Sequence, residues 1–228
     1  MNTAPLYIDQ RIKFRNFGNS NHKSREIGDA MRNLDAAGII RLIYPSTDVQ
    51  VPVKPNLKKS PRLQLFNIGL VNHALGIQGQ LLGLKDFSFA SNGAIIPHLV
   101  TQELISLNKY NNKKPNFWVR EKNQSQAEVD LLFSYKNKVI PKEIKSGKTG
   151  SLKSLHQFVN KANHPYAVRV YGAKFEIENS ITPEGVPYIL MNLPYYLGTK
   201  LPEYIAYFVE ISIDYSALAI SLAFCKSS

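Results

Sequence analysis

Ala127–Lys145 reads AEVDLLFSYKNKVIPKEIK. Two runs rich in β-branched and aromatic residues flank Lys136-Asn137, so the stretch reads as two strands joined by a short turn. Lys-Asn is a weaker hairpin turn than Asn-Gly. With those two residues as the loop, Asp130 faces Glu143 and Glu128 faces Lys145, and a four-residue loop centred on the same point gives the same pairs. Strand side chains alternate. All four therefore share one face, and Val129, Leu131 and Ile144 pack into the core from the other. Like charges directly opposed across a ladder destabilise it, so neutralising Glu128, Asp130 or Glu143 is expected to raise stability. A divalent cation would turn the same repulsion into coordination. Lys145 lies beside Glu143 on that face, where an ammonium can orient a metal-bound water and stabilise charge on a phosphate.

Upstream, residues 96–109 read as a helix. At 100° per residue Glu103 falls in the middle of the arc formed by Ile95, Ile96, Leu99, Val100, Leu104 and Leu107. A carboxylate there costs free energy unless it is paired, caps an amide or binds a metal. FWVRE, from Phe117, reads as a strand. Downstream come a two-faced helix over 151–162, the strand YAVRVYG and a buried strand near VPYILMNL. Helix, three strands, helix, strand is an α/β order with a central mixed sheet flanked by helices.

The first third is organised differently. Residues 1–23 are polar and basic, with Arg11, Lys13, Arg15 and Lys23 among Phe14 and Phe17, and read as an arm or linker. SREIGDAMRNLDAAG reads as a helix capped by Ser24, striped by Ile27, Met31 and Leu34, and stopped at Gly38. IIRLIY and RLQLFN read as strands. Between them, residues 45–61 hold four prolines and three lysines, so they form neither regular strand nor helix. IGLVNHALG reads as a short helix, and an apolar loop with Leu81, Leu84 and Phe87 follows. A boundary near residue 78 divides the chain into 1–23, 24–78, 79–208 and an unassigned tail, 209–228.

The chain has 228 residues, 44% hydrophobic and 20% charged, which excludes a disordered protein. Twenty-eight Lys and Arg against 17 Asp and Glu give a net charge of +11, which points to a polyanion such as nucleic acid. The basic groups Lys54/Lys58/Lys59/Arg62, Lys109/Lys113/Lys114 and Lys136/Lys138/Lys142/Lys145/Lys148 bracket the carboxylates. The single cysteine, Cys225, excludes a disulfide framework and a Cys-based zinc site. No apolar run marks a signal peptide, and YSALAISLAFC is too short for a membrane helix of roughly 20 residues. The expectation is a reduced, cytoplasmic protein. SGKTG, Ser146–Gly150, lacks the first glycine of a phosphate-binding loop, since Lys142 stands there, so no ATP site is expected. Ser151 can cap the next helix, and Lys148 and Lys153 beside it are candidates for DNA phosphate. The polar side of helix 151–162, with His156 and Gln157, is either solvated or the wall of a DNA cleft. Trp118 shares a face with Arg120 and reads as core in preference to a base-stacking platform.

Helical Glu103, the E-V-D run ending at Asp130 and the E-I-K run Glu143–Lys145 together resemble the PD-(D/E)XK nuclease constellation. Val129 stands where that motif has proline. The helix, strand, basic loop and strand of the first third resemble a winged helix with its wing. More widely, SREIGDAMRNLDAAGII, LQLFNIGLVNHALG, FWVREKNQSQAEVDLLF, IPKEIKSGKTGSLKSLHQF and MNLPYYLGTKLPEYI resemble the uncharacterised C-terminal domain that follows an AAA-type ATPase module in many bacterial and archaeal proteins. That resemblance covers about residues 24–208. It implies a winged-helix-like region before a PD-(D/E)XK-like core. It also implies Mg²⁺ or Mn²⁺ held by Asp130, Glu143 and Glu103, with Lys145 assisting the attacking water. Lys54, Lys58, Lys59, Lys148 and Lys153 would then meet DNA. Two readings follow: a metal-dependent nuclease, or a catalytically silent module that binds nucleic acid or protein and is coupled to an AAA-type ATPase absent from this chain.

Overall fold

A computed structural model describes residues 4–76, 94–107, 114–120 and 127–211. The apolar loop 80–93, Lys109, Lys113 and the tail beyond 211 lie outside them. Helix α1 (Ser24–Ala36) begins where Glu26 Oε2 accepts the Lys23 N–H at 3.0 Å, so the capping group is Glu26 and not Ser24. It ends at Gly38, whose φ of +78° suits a residue without Cβ. β1 (Ile40–Ile43) then pairs antiparallel with β3 (Arg62–Leu65), Ile43 opposite Arg62. Between them the proline-rich stretch is irregular except at β2 (Pro45–Ser46), which runs parallel to a strand of the main sheet. α2 (Ile68–Leu75) starts with the Asn67 side chain accepting the Gly69 N–H and ends at Gly76, φ +67°.

The expected arm is packed from residue 4 onward. Ala4, Ile8 and Ile12 are buried, and Phe14 and Phe17 cover the same core, with Met31, Ile40, Leu42 and Leu63. The segment also bonds to β3. Asp9 N–H reaches the Leu63 carbonyl at 2.8 Å, Leu63 N–H the Gln10 carbonyl at 3.0 Å, and Ile12 N–H the Pro61 carbonyl at 2.8 Å. Its basic residues mask apolar positions that satisfy the edge of a two-stranded sheet which could not bury its own face alone.

The main sheet is mixed and seven-stranded. Its strands are β2, β4 (Asn116–Val119), β5 (Glu128–Tyr135), β6 (Lys138–Ile144), β7 (Tyr166–Tyr171), β8 (Glu176–Ile181) and β9 (Pro187–Pro194), in the spatial order β2-β4-β5-β6-β7-β9-β8. The β5–β6 hairpin has the expected register, from Tyr135 opposite Lys138 to Leu131 opposite Lys142. Lys136 takes the left-handed conformation in its turn, φ +51°. α3 (Ile95–Leu107) and a helix over residues 201–211, α5, cover one face. Ile96, Val100, Leu104, Leu201, Ile205 and Phe208 pack there on Leu131, Ile140, Ile144, Val168 and Met191. α4 (Lys153–Val159) covers the other, where Leu155, Phe158 and Val159 meet Trp118, Val129, Val139 and Leu190. Each such side chain contributes about 1.5–3 kcal/mol by leaving water. Among the described residues no helix is long and apolar enough to cross a membrane.

One expectation of the hairpin fails. Val129 and Leu131 do not share a face: Leu131 lies in the α3 core and Val129 in the α4 core. Asn116 pairs with Leu132 and Trp118 with Val129, so two steps on β4 match three on β5. The extra residue is a bulge at Asp130–Leu131, and a bulge breaks the strict alternation on which the shared face rested.

Candidate functional site

The bulge aims Asp130 at the gap where β5 and β6 part. Past Leu131 opposite Lys142, Asp130 Oδ2 accepts the Ile144 N–H at 2.7 Å, doing for that amide what a ladder carbonyl would do. Asp130 Oδ1 lies 3.6 Å from Nη2 of Arg62. Arg62 opens β3 and is 3% exposed, so its charge has to be met inside the protein. Its Nη1 donates to the Asp130 carbonyl at 3.1 Å and lies 3.6 Å from Asp9 Oδ1; its Nη2 donates to Glu128 Oε1. The guanidinium sits 4.5 Å from the Phe117 ring centroid. Arg11, exposed, adds a contact at 3.8 Å to Glu128. Asp9 in turn accepts from Gln64 Nε2 at 2.7 Å.

Glu143 is 6% exposed on β6. Oε1 accepts from Lys145 Nζ at 2.6 Å, and Oε2 is buried with no partner. Burial, then the Asp130 charge, push this carboxyl up, against the opposing pull of Lys145 and Arg62. Burial likewise raises Asp9 to about 7, although Arg62 pulls it down. The same carboxylates hold Arg62 above its ordinary value despite burial. The cluster therefore favours protons on Asp9 and Glu143, and sets Glu128 and Asp130 against one fixed cation.

The structure thus gathers Asp130, Glu143 and Lys145, with Glu128 beside them. It places Glu103 half-buried on α3, where its backbone carbonyl accepts from Ser106 Oγ at 2.7 Å. Glu103 is not among the charges that act on Glu143. Among the described residues no group of three or more His, Cys, Asp or Glu side chains could hold a metal ion. Arg62 against Asp130 and Glu128, and an amide on Asp130 Oδ2, take up oxygens that a cation would need, and leave Glu143 Oε2 without a partner.

The lysines divide by exposure. Lys54, Lys58, Lys148 and Lys153 are exposed, and Lys59 is half-buried. Lys114 pairs with Asp35 at 2.5 Å. Arg62 leaves the basic group to which its sequence neighbours belong. Trp118 is fully buried, donates to the Thr47 carbonyl at 3.2 Å and meets Phe158 edge-on, so it is core and not a stacking platform. On α4, Gln157 accepts from Arg120 Nη1 at 2.8 Å, and the His156 ring lies 3.0 Å from the Tyr188 hydroxyl.

Asp9 and Arg62 are the residues that sequence reasoning missed. In Arg62–Leu65 the order is charged, apolar, amide, apolar, the pattern of a half-solvated strand. Yet Arg62 and Gln64 are both buried, because the Asp9 segment and β5 close over that face. The one available signal was Arg62 at the head of a strand, and nothing local ties it to Glu128, 66 residues away. Asp9 carried none. No curated protein and no solved structure matches the chain. Residues 92–188, from the start of α3 to the start of β9, match the family model of a domain of unknown function, DUF4143.

Proposed function

We propose that this chain is a nucleic-acid-binding module built on a PD-(D/E)XK-like sheet with a winged-helix-like region, catalytically silent and coupled to an AAA-type ATPase. The observation that carries the reading is Arg62, whose buried guanidinium takes up Glu128 and Asp130 as structural partners. The winged-helix-like part is supported by the order α1, β1, basic loop, β3, with β1 and β3 paired antiparallel. A polyanionic partner is supported by the net charge of +11 and by the exposure of Lys54, Lys58, Lys148 and Lys153. The ATPase coupling rests on the resemblance of residues 24–208 to domains that follow such modules.

A second reading, metal-dependent hydrolysis of a DNA phosphodiester, is favoured by one observation: the partnerless, buried Oε2 of Glu143 beside Asp130 and Lys145. Two assays on the purified chain separate the readings. Anisotropy of a labelled duplex should show affinity falling steeply with salt, since displaced counterions set the slope. Charge reversal at Lys58 and Lys59 should weaken it. Plasmid incubated with Mg²⁺ or Mn²⁺ should stay intact. Cleavage that disappears in both Glu143→Ala and Lys145→Ala would establish the nuclease, and affinity indifferent to salt would remove the nucleic acid.

A further inference from the structure

β8 is the outermost strand of the main sheet, and β9 is its one neighbour there among the described residues. Five of its six residues are exposed and Ser180 is half-buried. Its pairing with β9 fixes which backbone groups face outward. Just past the strand, Thr182 N–H donates to the Val186 carbonyl at 2.9 Å. Antiparallel residues alternate between turning their amide and carbonyl toward a partner strand and away from it. Counting back by twos, Ser180, Glu178 and Glu176 turn toward β9. Ile177, Asn179 and Ile181 turn theirs to the open side. The strand contains no proline, no lysine and no bulge, devices by which an edge avoids pairing, and its charges are Glu176 and Glu178. On its α5-side face Ile177 and Ile181 are 40% and 66% exposed, beyond the buried Met191 that Ile177 opposes.

We propose that this edge pairs antiparallel with the same edge of a second copy of the chain, so that the sheets of two copies continue across a two-fold axis. The strand's own chemistry selects the partner and the register. Outward groups meet only where odd-numbered residues oppose odd-numbered ones, and two central registers do this. One sets Glu178 against Glu178 of the second copy, like charges face to face. The other sets Asn179 against Asn179, Ile177 against Ile181 and Glu178 against Ser180. It joins apolar residues at both ends and opposes no like charges. Each outward residue then both donates to and accepts from its counterpart, the isologous arrangement that a two-fold axis requires. A contact this narrow is smaller than a standard interface, so association is weak, with a dissociation constant on the order of 10–100 µM.

The test is sedimentation velocity on the full chain over about 1–500 µM, a range that spans that constant. The expected result is a reversible monomer–dimer equilibrium. Asn179→Pro should raise the dissociation constant at least tenfold, because proline removes an outward N–H at the axis while edge strands tolerate it there. Should that variant lose its fold by circular dichroism, the exposed side chains decide. Ile177→Lys and Ile181→Glu should each weaken the dimer, and the double variant should recover it, since each altered position faces the other across the axis. A chain that is monomeric throughout the range overturns the proposal. So does a dimer indifferent to Asn179→Pro, or a double variant no stronger than the weaker single.

Discussion

Three carboxyl groups, those of Asp9, Glu128 and Asp130, face the buried guanidinium of Arg62, and that arrangement reverses what the ladder alone predicts for this site. Opposed carboxylates on bare strands repel, so neutralising one should help. Around a buried guanidinium each oxygen that meets it is needed, so Glu128→Gln and Asp130→Asn are expected to destabilise by about 1–3 kcal/mol. Arg62→Met should cost more, about 3–5 kcal/mol, because it leaves three half-buried carboxyl groups without a counter-charge. Glu143 behaves differently. Burial and Asp130 already favour its protonated form, so Glu143→Gln replaces one neutral group by another and should leave the denaturation midpoint almost unchanged. Urea unfolding of the four variants at neutral pH checks the ranking. A Glu143→Gln variant less stable than Asp130→Asn would mean that Glu143 is ionised and that Lys145 is its structural partner.

At the scale of elements the sheet was legible and its exceptions were not. β1, β3 to β7 and β9, with α1 to α4, lie where periodicity and turn residues put them, because each has an apolar face long enough to reveal its period. β8 was missed: in KFEIENSI only Phe175, Ile177 and Ile181 alternate, Asn179 interrupts them, and the strand is exposed on both faces. The bulge at Asp130 was missed because it depends on β4, 10 or more residues away in sequence, and local pattern does not carry a partner strand's register. The hairpin register, fixed locally by its turn, was readable. The N-terminal segment gives the clearest test. A solvated arm tolerates truncation of any side chain, whereas Ile12 is 2% exposed in the core of α1, β1 and β3. Ile12→Ala should therefore cost about 2–5 kcal/mol, read as a lowered thermal midpoint. A change within about 0.5 kcal/mol, the range for surface positions, would return residues 4–12 to the status of an arm.

For the molecule as a whole, four buried titratable groups pull stability in opposite directions along the pH axis. Asp9, raised to about 7, and Glu143, also raised, hold protons in the folded state that the unfolded chain has already released. Their contribution is complete below the ordinary carboxylate range and is lost as pH rises through their folded values. His98, lowered to about 4 by burial within α3, works the other way, so its contribution grows between about 4 and its ordinary value. Lys142 is the largest charge out of place. It is 1% exposed in β6, its Nζ 5.0 Å from the Phe133 ring centroid, and burial lowers it to about 7. The unfolded chain binds that proton up to the ordinary lysine range. Lys142 should therefore add stability with rising pH from about 7 to about 10, offset up to about 8 by the loss from Glu143. The falling net charge pushes the same way as pH nears the isoelectric point of 9.6, so the parent's slope alone decides nothing. Lys142→Met isolates the Lys142 contribution. It keeps the volume, suits the apolar surroundings of Phe133 and removes the titration. The variant should be more stable than the parent at pH 7, by about 2 kcal/mol, with the advantage shrinking toward pH 10. Urea midpoints of both proteins at pH 7, 8.5 and 10 measure it. An advantage constant across that range would show that the Lys142 ammonium reaches water in the folded protein and that its burial carries no charge penalty.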